Sequence, residues 1–167
     1  MAAVLLNVST GIIEDQFHNY VRPVNFPQLS SFCISLTGVT QSMVDDQEIF
    51  SEVFSKFQNW LRKIQFEKNL HFATPTERQS NIDNGPNVAF CSWSNWDLQY
   101  FLQMECQRSH IDILPYFKTW IDIRRMYDQL YPRVECSLDD ALKRANIKAE
   151  GNDHSPGKND AMNLSKL

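Results

Sequence analysis

The stretches of this chain best equipped for chemistry are Trp93-Ser94-Asn95-Trp96-Asp97-Leu98, Trp120-Ile121-Asp122-Ile123-Arg124 and the polar run from Gly151 to Gly157 that contains His154, with Asp160 and Asn163 beyond it. Carboxylates suit hard cations, imidazole exchanges a proton near neutral pH, and aromatic faces stack on bases. Taken singly, each residue also has an ordinary structural reading. Asp97 is an acid in a helix's first turn, where the dipole favours negative charge. Phe32 and Trp96 are aromatics of a kind that fills cores. His154 sits in a polar stretch, where a surface-loop histidine is the default. The four cysteines, Cys33, Cys91, Cys106 and Cys136, include no Cys-x-x-Cys pair, the spacing a cysteine-based zinc site uses.

The elements that must position these residues follow from periodicity. Ala3 to Val8 and Ile12 to Val21 read as a hairpin around the turn signal Ser9-Thr10-Gly11, ending at Arg22-Pro23. Asn25 to Leu36, with Pro27 and several serines, reads as irregular. Asp45 and Glu48 stand in capping-box spacing ahead of Ile49, Phe50, Val53, Phe54, Phe57, Trp60, Leu61 and Ile64. That is the i, i+3, i+4, i+7 pattern of an amphipathic helix with one face in a core. Pro75 to Asn87 reads as a surface loop and Val88 to Trp93 as a brief buried strand. A helix is expected from about Asn95 with Leu98, Phe101 and Leu102 inward. Trp120 to Ile123 is a second short strand, leading into a helix through Met126 and Leu130. Ser137 can cap a further helix carrying Leu138, Ala141, Leu142 and Ala145. A hairpin followed by alternating helices and short strands predicts a mixed α/β domain.

Patterns at particular spacing go further than periodicity. Tyr20-Val21-Arg22-Pro23 is followed by Leu29, Phe32-Cys33 and Leu36-Thr37-Gly38-Val39-Thr40-Gln41. The Trp93 and Trp120 motifs come next, and then His154, Asp160 and Asn163. In this order they resemble the RNA-exonuclease branch of the DEDDh family of 3′-to-5′ exonucleases, which includes the Snipper-like and histone-mRNA 3′ exonucleases. The resemblance runs over nearly the whole chain, from about Val4 to Leu167. It implies an α/β fold, a ribonuclease H-like mixed sheet flanked by helices, occupying residues 1–167 as a single exonuclease domain.

The resemblance also implies the chemistry. Two Mg²⁺ or Mn²⁺ ions would generate the attacking hydroxide and relieve charge on the leaving oxygen of a phosphodiester. Asp97 and Asp160 correspond to two of the metal-binding acids, and His154 to the general base. Phe32, Trp96 and Leu98 match positions that pack on the terminal base, while Thr37 and Gly38 match the loop at its sugar and phosphate. The expected substrate is a single-stranded RNA 3′ end, with DNA also open.

Three departures qualify this. The family's first strand carries an Asp-x-Glu pair supplying the other two carboxylates, and the matching region of this chain begins after it; the first acid is Glu14. Asp160 follows His154 by six residues where the family spaces them by five, and Asn159 fills the place of an acid. The final helix stops at Leu167. The expectation is a domain incomplete at both ends, impaired or inactive by itself, with truncation favoured over a strand supplied by a protein partner and over a closed-up strand order that alters the fold. The alternative is a non-catalytic module that binds RNA or a protein.

Composition is consistent with these readings. A net charge of −4 neither recommends nor excludes a nucleic-acid partner, since a local basic surface can coexist with an acidic total. No secretory signal pattern and no long apolar run occurs, so an intracellular, cytoplasmic or nuclear protein without a membrane partner is expected. The final Ser165-Lys166-Leu167 has the form of a peroxisomal address but reads more simply as part of an amphipathic helix.

Overall fold

Apolar residues rich in β-formers at the start of the chain produce two antiparallel strands, β1 (Ala2–Asn7) and β2 (Ile12–His18). Gly11 closes the turn between them at φ 68°, a left-handed conformation that glycine adopts without a Cβ clash. Its N–H donates to the Asn7 carbonyl at 2.8 Å. The computed structural model describes residues 1–75, 87–131, 136–151 and 156–167. They form two compact units, Met1–Phe57 with Cys136–Leu167, and Gln58–Glu135.

In the first unit, the stretch read as irregular contains a helix, α1 (Ser31–Thr37). Both its ends are encoded locally. The Ser30 side chain accepts from the Cys33 N–H, and Gly38 at φ 68° donates its N–H to the Ile34 carbonyl at 2.8 Å. The helix buries none of its residues, so no apolar period was there to announce it. A short α2 (Gln41–Val44) follows, with Asp45 as its C-cap. Asp45 therefore takes no part in the capping box expected for the long helix α3 (Phe50–Lys68); instead the Glu52 carboxylate accepts from the Ile49 N–H at 3.1 Å.

The core of this unit includes Phe17, Val53, Phe54, Phe57, Ala141 and Leu142. Phe54 stacks on Phe50 with ring centroids 5.3 Å apart, and Phe57 meets Phe17 at 5.2 Å. The closing helix α7 (Pro156–Leu164) packs on β1, where a Cβ on Gly157 would sit 3.8 Å from the Ala2 side chain.

In the second unit, two three-residue strands, β3 (Phe90–Ser92) and β4 (Trp120–Asp122), pair in parallel, with Phe90 opposite Trp120 and Ser92 opposite Asp122. Among the described residues the strands form two two-stranded sheets, one in each unit. β4 is cut short because a helix begins at once, whereas β3 is followed by a turn over residues 93–95. Asp122 is already the N-cap of α5 (Ile123–Leu130), accepting from the Arg125 N–H at 2.9 Å. After β3 come a π-helix, Trp96–Leu102, and α4 (Gln103–Arg108).

Phe72, Phe90, Tyr116 and Phe117 form an aromatic cluster in this unit, with centroid separations of 4.9 Å for Phe72–Phe90 and 5.0 Å for Phe90–Phe117. Phe117 is fully buried. The remaining helix of the first unit, α6 (Leu138–Arg144), begins at the expected Ser137 cap, whose side chain accepts from the Asp140 N–H. No helix among the described residues is long and apolar enough to cross a membrane.

The core predicts a specific loss. Phe54 is fully enclosed between aromatic neighbours, so Phe54→Ala leaves a cavity that rigid helices cannot close. Urea denaturation is expected to show destabilisation of about 3–5 kcal/mol through a lower midpoint.

Candidate active site

A buried serine marks the point where the second unit turns from strand to helix. Ser92 ends β3, and its hydroxyl donates to the Ser94 carbonyl at 2.6 Å, tightening the turn. Asn95 anchors the far side of that turn by accepting from the Trp120 indole N–H at 3.1 Å. Trp96, Asp97 and Leu98 then occupy the first turn of the π-helix. The wider turn of a π-helix, set by i→i+5 bonds, departs from the 3.6-residue period. Leu102 is buried and Leu98 half-buried as expected, but Phe101 is 53% exposed instead of facing inward.

The result is an exposed aromatic group. Trp96, 59% exposed, lies 4.9 Å from the Tyr100 ring and 5.9 Å from Phe101. Tyr100 was not singled out from sequence, and Phe101 was expected to face inward; the wider turn of the π-helix brings Phe101 out near Trp96 instead. Asp97 is in the same turn. Its residue surface is open, yet nearby protein excludes enough water from the carboxyl to push its pKa up, partly offset by a hydrogen bond from its own backbone N–H. Among the described residues no cation is paired with it.

The other expected site residues lie in the first unit. Phe32 is 73% exposed, one helical turn before the exposed Leu36 on α1. Thr37 ends that helix, its hydroxyl donating to the Cys33 carbonyl at 2.8 Å and accepting from the Val39 N–H at 3.2 Å. Gly38 is the exposed C-cap. Asp160 is exposed on α7, beside Asn159, which is buried. Three residues on, Asn163 is buried and holds the Glu150 backbone from both sides, accepting its N–H at 2.7 Å and donating to its carbonyl at 2.9 Å. His154 falls outside the described residues.

Structure thus brings Trp96, Asp97 and Leu98 together on one turn, and Phe32, Thr37 and Gly38 on one short helix and its cap. Among the described residues, no three His, Cys, Asp or Glu side chains are gathered as a metal site requires. The described donors therefore do not make up the two-ion centre that the resemblance implies.

The fold and these motifs agree with what comparison shows: the chain belongs to the exonuclease family RNase_T, whose family model matches residues 1–167. It is 41% identical over 165 residues to ERI1 exoribonuclease 2 of Xenopus laevis, covering 99% of this chain and 24% of that protein. It is 39% identical to the 3′-5′ exonuclease Snipper of Drosophila melanogaster, over 99% of this chain and 57% of Snipper. The chain thus spans between a quarter and a little over half the length of these two relatives. A solved nuclease domain of 3′hExo, a DEDDh family member bound to rAMP, superposes with a TM-score of 0.78 at 33% identity, covering 99% of this chain and 75% of that one. The α/β exonuclease fold is that of DEDDh nucleases, a 3′-to-5′ exoribonuclease domain family whose hydrolysis depends on divalent metal.

The Asp97 environment has a consequence for stability. A carboxyl whose folded pKa is raised binds its proton more tightly folded than unfolded, so stability falls as pH rises from the unfolded value through the folded one. Asp97→Asn removes that penalty. Its melting temperature is expected to exceed wild type by roughly 1–2 °C at pH 7, small because the group is solvent-screened, and to match it near pH 3. Paired thermal scans at the two pH values check this.

Proposed function

We propose that this chain belongs to a 3′-to-5′ exoribonuclease domain that engages a single-stranded RNA 3′ end. The observation that carries the reading is the first turn after β3, where an exposed indole stands beside a partly desolvated carboxylate that has no paired cation among the described residues. Such a turn offers a stacking face for a base and an acid suited to a divalent ion, Mg²⁺ or Mn²⁺. Trp96 stacks on the terminal base, Leu98 packs beside it, and Asp97 is a metal ligand. Helix α1 adds nucleic-acid contacts of its own, with Phe32 as an aromatic face and Thr37 and Gly38 approaching sugar and phosphate. Asp160 is a second ligand and His154 the general base. The rAMP bound by the 33%-identical nuclease domain supports a ribonucleotide as ligand.

The 167-residue polypeptide by itself is expected to bind RNA better than it cuts it. The acids described do not compose a metal centre, and the place of a further acid is filled by Asn159, whose burial favours a neutral amide. This second observation supports the competing reading, a module of this fold that binds RNA without hydrolysis.

An end-labelled single-stranded RNA separates the readings. With Mg²⁺ or Mn²⁺, the 167-residue chain is expected to retard the RNA in a binding assay while giving little or no 3′ laddering. Trp96→Ala is expected to weaken binding by about 1–3 kcal/mol, roughly 5- to 150-fold. Metal-dependent laddering, absent in EDTA and in Asp97→Ala, would overturn the expected impairment. A folded chain with no RNA affinity would overturn the binding reading.

A further inference from the structure

We propose that the cavity of about 370 Å³ beside Asn95 is a second ribonucleotide subsite, holding a nucleotide upstream of the RNA 3′ terminus. The inference rests on the RNA reading above and extends it to a separate set of residues. Its walls come from the end of β4, the first turns of α5 and the turn after β3. It runs along β4 to the point where the chain passes into α5, next to the turn that leaves β3, and strand-to-helix turns of this kind are where α/β folds place their ligands.

The lining matches the parts of a ribonucleotide. Trp120 and Met126 supply an apolar wall for a base. Arg125 supplies a guanidinium that makes no ion pair among the described residues, so it is available for a phosphate. Asn95 uses its carbonyl oxygen for the Trp120 indole, which leaves its amide N–H groups to donate, and Gln129 adds a second amide. Asp122 is the one carboxylate in the lining. Its Oδ1 is engaged by the Arg125 backbone N–H, and its remaining acceptor capacity suits a sugar hydroxyl rather than a phosphate. Asn95 also ties the cavity to the turn bearing Trp96 and Asp97, one and two residues on.

Fluorescence titration in EDTA tests the assignment, using rAMP and a single-stranded RNA 8-mer as probes at several salt concentrations. Arg125→Ala is expected to weaken 8-mer binding about fivefold or more and to lower the log–log salt slope by about 0.7, one phosphate contact on a single strand. Its rAMP affinity should stay unchanged, whereas Trp96→Ala should weaken both probes. Arg125 is exposed, so its removal is compatible with folding, and circular dichroism verifies that. An 8-mer affinity and salt slope unaltered by Arg125→Ala, with Trp96→Ala still damaging, would overturn the subsite alone. Failure of the folded wild-type chain to bind either probe would overturn the RNA reading and the subsite with it.

Discussion

The parallel pairing of β3 with β4 is the constraint on which the second unit's chemistry depends. Only three residues on each side pair, yet their register sets Ser92 opposite Asp122, and each is the last strand residue before a turn into helix. A one-residue slip would reverse every side chain along so short a strand. The pairing is secured beyond the ladder by the Arg124 N–H donating to the Trp93 carbonyl and the Trp120 indole donating to Asn95. Below it, the rings of Phe72, Phe90, Tyr116 and Phe117 fill the apolar side. The turn that carries Trp96 and Asp97 leaves the sheet at this end.

Polar groups in the two units are treated in opposite ways. In the first unit, buried Asn163 is bonded to the Glu150 backbone from both ends of its amide, and Lys166 pairs with the Glu150 carboxylate at 2.8 Å. This buried side chain is neutral and internally partnered, as burial demands. In the second unit, Asp97 is partly desolvated with no paired cation among the described residues, and Arg125 lines a cavity whose one carboxylate, Asp122, accepts from the Arg125 backbone N–H. Asn163 and Glu150 thus hold the fold of the first unit, whereas Asp97 and Arg125 make no ion pair among the described residues. The buried thiol of Cys106, next to Glu105, is pushed up to about 11 and is inert as a nucleophile at neutral pH.

Much of the framework was legible without coordinates. The hairpin, α3, the two short strands and the capped α6 all follow from period and cap residues that act within a few positions. Family membership was legible too, because four motifs in order carry information that no single one does. The Asn25–Leu36 stretch was misread because α1 is held by Ser30 and Gly38 at its ends and buries nothing between them. Its apolar Phe32 and Leu36 face solvent, so the usual signal of a helix, a stripe matched to a core, was lacking.

What the sequence by itself determined is the set of residues and their local geometry: which acids and aromatics exist, where helices begin, and which family they belong to. These depend on backbone preferences and spacing, which are written along the chain. Only the structure decided that Phe101 turns outward near Trp96, since a π-helix breaks the period by which faces are counted. Only it decided that Asn95, Trp120 and Arg125 share one cavity, since strand register joins residues 25 and more positions apart. The desolvation of Asp97 is likewise a property of the space around a carboxyl, and no neighbour in sequence reports it.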